Sequence, residues 1–227
     1  NMLTAIENEI IYLPVLLCSI YGLRRSEVLG IKWSCVDFEN NTIHICETLQ
    51  QSTKELTGES NYTDDTKNAS SNRTMPLIPV IKEKLLVQKQ WQIENKKEFE
   101  ELYSDSDFIF THENGSVMTP NYLTKNFRKI ADSLGYYGLR LHDLRHSVAS
   151  NLLNKGFSYV QTAEWLGHSN PSTTFRFYAH VDKTSKIAIA SDYEQIFREE
   201  KSRKVVEKSA KIVEINSYRA NFKILDK

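Results

Sequence analysis

A chain of 227 residues, 40% hydrophobic and 26% charged, is long enough for one large domain or two small ones with a real core, and its composition is that of an ordinary soluble globular protein. The 29 Lys and Arg balance the 29 Asp and Glu, which counts mildly against a nucleic-acid partner without excluding a local basic pocket. Cys18, Cys35 and Cys46 show no metal or redox spacing and read as reduced, buried thiols of a cytosolic protein.

The opening residues read as the middle of a longer polypeptide, with a helix under way almost at once and no basic leader. Residues 5–21 carry apolar side chains near helical spacing, from Ile6 to Ile20. The apolar run Ile10–Leu23 is too short to span a bilayer and contains Pro14, Ser19 and Gly22, so a core helix is expected. A second short helix starts at Ser26-Glu27 and ends near Trp33. Thr42–Cys46 alternates polar and apolar after the turn pair Asn40-Asn41 and predicts a strand. The polar residues 50–65 suggest an exposed hairpin or insertion, with Arg73–Pro79 as the returning strand.

Residues 80–103 predict a long charged helix. A short strand follows at Asp107–Phe110, then a turn at Glu113–Gly115. Thr119-Pro120 opens a helix whose stripe is Leu123, Phe127, Ile130 and Leu134. Further helices are expected at 142–155, 158–167, 172–180 and 184–200, with Gly156 and Gly167 as stops and Ser158 and Ser172 as caps. The basic stretch beyond residue 200 reads as a tail with two β-like patches, Ile212–Ile215 and Phe222–Leu225. The fold class is therefore α+β, mostly helical, with a small antiparallel sheet.

Several residues can carry chemistry, and each has a plainer reading. On a helix, His142 and Arg145 share a face. Arg145, at the margin of the stripe Leu144, Val148 and Leu152, can present a rigid guanidinium to a phosphate or simply pair with Asp143. His168 follows a glycine stop, where an imidazole can cap the helix. Tyr178 lies on an aromatic helix, where most tyrosines are core residues.

The set as a whole is more telling than its members. Gly22-Leu23-Arg24-Arg25-Ser26-Glu27, then Thr66-Lys67 and Arg73–Leu77, then His142-x-x-Arg145, Leu166-Gly167-His168 and the late Tyr178 together resemble the tyrosine recombinase family: phage integrases, conjugative-transposon integrases and Xer-type resolvases. The resemblance spans about residues 10 to 182 and is most specific from His142 to Val181. It implies that Arg24, Lys67, His142, Arg145 and His168 act at the phosphate, that Tyr178 is the nucleophile, and that Glu27 supports the site. Asn68 stands where many relatives have Thr, and Phe177 is bulkier than expected beside the nucleophile.

The chemistry is coherent on physical grounds. Two guanidiniums and a histidine can neutralise a pentavalent phosphorus transition state. A lysine can protonate the departing 5′ oxygen, and cations near a phenol ease its ionisation. Religation needs no ATP, and neither metal nor other cofactor is expected. The implied function is site-specific DNA recombination, with integration and excision of a mobile element as its setting. The alternatives are a type IB topoisomerase-like nicking-closing enzyme and a non-catalytic DNA-binding module. Expected partners are duplex DNA at recombination sites and further copies of the chain, dimer to tetramer on DNA, with no membrane role and a bacterial cytoplasmic, nucleoid-associated location. Arg73, Lys125, Arg128 and Lys129 are candidate DNA contacts. Residues 1–182 form the expected catalytic domain, with an N-terminal core-binding domain lying outside the chain. Residues 183–227 form a C-terminal helix and tail for intersubunit docking, and the 47–66 hairpin is a weaker candidate contact.

Overall fold

The structure, a computed structural model, describes residues 2–49 and 72–168, with residues 170, 172, 194, 195 and 198. The chain divides into two units, Asn1–Phe177 and Tyr178–Lys227. In the second, the described residues Glu194, Gln195 and Arg198 are helical, and Arg198 pairs with Glu194 at 2.7 Å. The first unit is mostly helical with one three-stranded antiparallel sheet, as the sequence implied.

The long first helix expected over 5–21 is two helices, α1 (Met2–Ala5) and α2 (Tyr12–Tyr21). Pro14 is the reason. It lacks the N–H that would bond Ile10, and its ring would crowd that carbonyl, so it is tolerated only in a first turn. Helix α2 buries Leu13, Pro14, Val15, Leu16, Leu17, Cys18 and Tyr21 and forms the centre of the core. Burying one such large apolar side chain is worth about 1.5–3 kcal/mol. Gly22 ends the helix at φ +66°, in the left-handed region.

Helix α3 (Arg25–Leu29) follows after three residues and stops short of Trp33. Trp33–Cys35 instead form a separate 3-10 turn, leading into strand β1 (Val36–Asp37), which the sequence did not suggest. Strand β2 (Thr42–Ile45) pairs with β1 on one side and β3 (Arg73–Pro76) on the other. Its register sets Ile43 opposite Met75 and Ile45 opposite Arg73. The side-chain period of two therefore buries Ile43, Ile45 and Met75 on one face. On the other, His44 Nδ1 lies 3.0 Å from Thr74 Oγ1. The Tyr21 hydroxyl donates to the Pro76 carbonyl at 2.8 Å and ties the sheet to α2.

Helix α4 (Pro79–Phe99) starts with proline in its first turn and ends four residues before the expected limit, its continuation being the 3-10 turn Glu100–Leu102. The strand expected at Asp107–Phe110 does not form. Only isolated bridges occur there, Lys32 with Phe108 and Thr111 with Val117. Helices α5 (Pro120–Ser133), α6 (Leu141–Asn154) and α7 (Tyr159–Leu166) complete the described fold. Thr119 caps α5 by accepting from the Tyr122 amide, and Ser158 caps α7 by accepting from the Gln161 amide. Gly167 closes α7 at φ +68°. Among the described residues no helix is long and apolar enough to cross a membrane. The expected helices at 172–180 and 184–200, the body of the 47–66 hairpin and the tail lie largely or wholly outside the described residues.

Candidate active site

Arg24 precedes the first turn of α3, and Glu27 lies one turn on. The Glu27 carboxylate accepts from the Arg24 amide at 2.9 Å and from its guanidinium at 2.5 Å. One carboxylate thus caps the helix and orients the arginine. Glu27 is 1% exposed, whereas the Arg24 side chain is 37% exposed, so a buried carboxylate holds a guanidinium that solvent still reaches. Arg73, the first residue of β3, reaches the same carboxylate at 3.3 Å with only 10% of its side chain exposed.

Arg145 comes from the second turn of α6. The sequence placed it at the edge of the buried stripe, but it is 3% exposed and fully inside. Its guanidinium donates to the Gly22 carbonyl at 2.6 Å and to the Leu166 carbonyl at 2.7 Å. Those carbonyls stand at the C-terminal ends of α2 and α7. Helix C-termini leave carbonyls without intrahelical partners and carry partial negative charge, so a buried cation fits there. Arg145 also lies 3.9 Å from Glu27. The plainer alternative, a surface Arg145 paired with Asp143, does not fit this burial, and Asp143 accepts from the Arg140 amide and guanidinium.

His168 follows Gly167, and its amide donates to the Ala163 carbonyl at 2.9 Å. Burial, then Arg145 and Arg24, push its imidazole down to about 4, against a smaller opposing pull from Glu27. It is therefore neutral at pH 7 and offers one N–H donor and one acceptor. His142, in the first turn of α6, is exposed and packs edge-on against His146 at 5.0 Å. Partial desolvation, then His146 and Arg145, hold it below the usual histidine range. Burial pushes the Glu27 carboxyl up, but Arg73, the Arg24 amide, Arg24 and Arg145 outweigh it and hold it low.

Arg24, Glu27, Arg73, Arg145 and His168 therefore gather from both ends of the chain around one buried carboxylate. Three guanidiniums against one carboxylate, beside a neutral imidazole, make a positive patch suited to an anion with several oxygens, such as a phosphodiester. Among the described residues no group of His, Cys, Asp and Glu is arranged to hold a metal. Lys67 and Tyr178 lie outside the described residues. Lys125, Arg128 and Lys129 are exposed on α5, with Arg128 3.8 Å from Asp132. They are not part of the cluster. A cavity of about 810 Å³ opens elsewhere, lined by Glu7, Tyr12, Trp91 and Tyr122 among others, and shares no residue with the cluster.

Sequence reasoning missed the two backbone carbonyls that hold Arg145 and the partnership of Arg73 with Glu27. Gly22, which supplies one carbonyl, and Gly167, which follows the other, were the available signal. A Cβ on Gly22 would meet Leu166 Cδ2 at 2.4 Å, so α2 and α7 approach closely only because that position is bare.

The sequence profile of the phage integrase family matches residues 2–185. A XerC-like tyrosine recombinase of Caldanaerobacter subterraneus is 31% identical over 185 residues, covering 75% of this chain and 46% of that protein. The integrase of Staphylococcus phage L54a is 31% identical over 166 residues, covering 72% of this chain and 46% of that protein. The chain thus spans about half the length of these curated relatives. Among solved structures, the Tn1549 transposon integrase in complex with transposon right end DNA is similar at a TM-score of 0.67 and 25% identity, over 85% of this chain and 62% of that one.

Proposed function

The chain belongs to the phage integrase family, and from that premise we propose that it is the catalytic part of a site-specific recombinase that cleaves and rejoins duplex DNA through a 3′-phosphotyrosyl bond. The convergence of Arg24, Arg145 and His168 about the buried Glu27 is the observation that carries this reading. Arg24 and Arg145 bind the non-bridging oxygens of the scissile phosphate, and neutral His168 donates a further hydrogen bond. Their orientation is fixed before DNA arrives, by Glu27 and by the helix ends, which is the condition for strong transition-state stabilisation.

In this account the Tyr178 phenol oxygen attacks phosphorus as the bond to the 5′ oxygen breaks. His142, held neutral near pH 7 by its depressed pKa, accepts the phenol proton, and Lys67 gives a proton to the departing 5′ oxygen. Attack by a 5′ hydroxyl on the phosphotyrosine reverses the step and releases the tyrosine, so the bond energy is conserved. The setting is integration and excision of a mobile element, in the bacterial cytoplasm at the nucleoid. Arg73, Lys125, Arg128 and Lys129 are proposed to contact DNA. Residues 1–182 act as the catalytic domain, and residues 183–227 dock on a neighbouring copy in a dimer or tetramer.

The test is a nicked suicide substrate, whose 5′ product diffuses away and strands the intermediate. A covalent DNA adduct is expected with the natural chain, and none with Tyr178→Phe. An adduct that survives Tyr178→Phe, or its absence from both chains when DNA binding is intact, overturns the proposal.

A further inference from the structure

Two of the three cysteines have no part in the chemistry above, yet they lie side by side. Cys35 closes the 3-10 turn after α3, and Cys46 follows β2. Their sulfurs are 3.6 Å apart, although the residues are eleven positions apart in the chain. Both are half-buried thiols, whereas Cys18 is fully buried in the core. At 3.6 Å the sulfurs are in van der Waals contact. Bond formation brings them to about 2 Å.

We propose that Cys35 and Cys46 are a modification site: a dithiol that closes reversibly to a disulfide. With hydrogen peroxide as oxidant, one thiolate attacks the peroxide O–O bond, giving a sulfenic acid and water. The second sulfur then attacks the sulfenic sulfur, forming the S–S bond and expelling a second water. Two electrons leave the two sulfurs, and the two thiol protons end in water. A small dithiol reverses the step by exchange.

The neighbourhood gives the bond a consequence. The residues after Cys46 lie against α3 and the segment that follows it: the Leu49 amide donates to the Ser26 carbonyl at 2.8 Å, and Glu47 pairs with Lys32, beyond the helix end, at 2.5 Å. A disulfide ties the exit of β2 to the turn after α3, and α3 carries Glu27 and is headed by Arg24. Burial first, then the hydrogen bond and charge of Cys35, push the Cys46 thiol up to about 11. The Cys46 thiol is therefore held protonated at neutral pH, and its attack quickens as the solution becomes alkaline. Burial pushes Cys18 up to about 12, making it an internal control.

The experiment oxidises the full 227-residue chain with peroxide under native conditions and measures intact mass and peptide linkage. A loss of two hydrogens, mapped to a Cys35–Cys46 peptide and reversed by dithiothreitol, is expected. The oxidised chain should melt about 5 °C higher. Cys35→Ser and Cys46→Ser should each abolish the mass loss. Sulfinic acid on either cysteine without linkage, crosslinks only between chains, or the same mass loss in Cys35→Ser would overturn the proposal. The wild-type peptide map decides it even where a variant folds poorly.

Discussion

The Arg145 guanidinium bonds the Gly22 and Leu166 carbonyls, at the ends of two different helices, from a third. It is a staple of the fold as well as a candidate phosphate ligand. Removing it leaves two buried carbonyls without their donor and takes one of three guanidiniums from the Glu27 carboxylate, which keeps Arg24 and Arg73. Arg145→Ala should therefore cost about 3–5 kcal/mol in chemical denaturation. Arg24→Ala should cost only about 1 kcal/mol, because the Arg24 side chain is 37% exposed and Arg73 still faces Glu27. Equal losses in the two variants would contradict the staple. Titration gives a second check at this scale. The His168 imidazole sits at about 4 in the fold against 6.5 for the free group. The unfolded chain takes up that proton first, so the contribution to stability is full above about 6.5 and is lost as pH falls towards 4. His112 and His142 are lowered too and act in the same sense. Denaturation midpoints between pH 7 and 5 should decline, and His168→Gln should flatten the decline. An unchanged slope in that variant would remove His168 from the cluster.

At the scale of elements, two glycines decide how closely segments pass. Gly22→Ala forces a left-handed φ on alanine and drives its Cβ against Leu166, at a cost of about 1–3 kcal/mol. Gly30 has an ordinary φ of −80°, but a Cβ there would lie 2.7 Å from the Glu47 carbonyl oxygen. Gly30→Ala should push the exit of β2 off α3 and speed amide exchange at Leu49, while the Ile43 and Met75 amides in the sheet stay protected. Uniform protection would show that the segment gives way at no cost. These approaches explain the limits of legibility. The caps Thr119 and Ser158, the Gly167 stop and the strand at Thr42 were readable because each depends on local residues. The break before α2 needed Pro14 to be given its due weight. Strand β1 and the bridge at Phe108 were not readable, because two-residue pairings depend on neighbours distant in sequence. At the site, family spacing pointed to Arg24 and His168, but nothing local says that Arg145 turns inward to two helix ends.

For the whole molecule, the neutral net charge masks a local excess of cations. Balanced totals of 29 and 29 coexist with three guanidiniums about one carboxylate, so the charge that matters is set by the fold and not by composition. Assembly is a separate question at this scale. A chain ending near residue 184 should retain the melting behaviour of the first unit but fail to form multimers on DNA. Normal assembly of that truncated chain would exclude a docking role for residues 183–227. The central claim is that Arg24 and Arg145 neutralise charge at one phosphate, and a neutral methylphosphonate at the scissile position tests it most directly. On ordinary DNA, Arg24→Ala should slow formation of the covalent adduct about 10²–10³-fold. On the methylphosphonate most of that deficit should vanish, because the charge it balanced is gone. An equal deficit on both substrates would contradict the account.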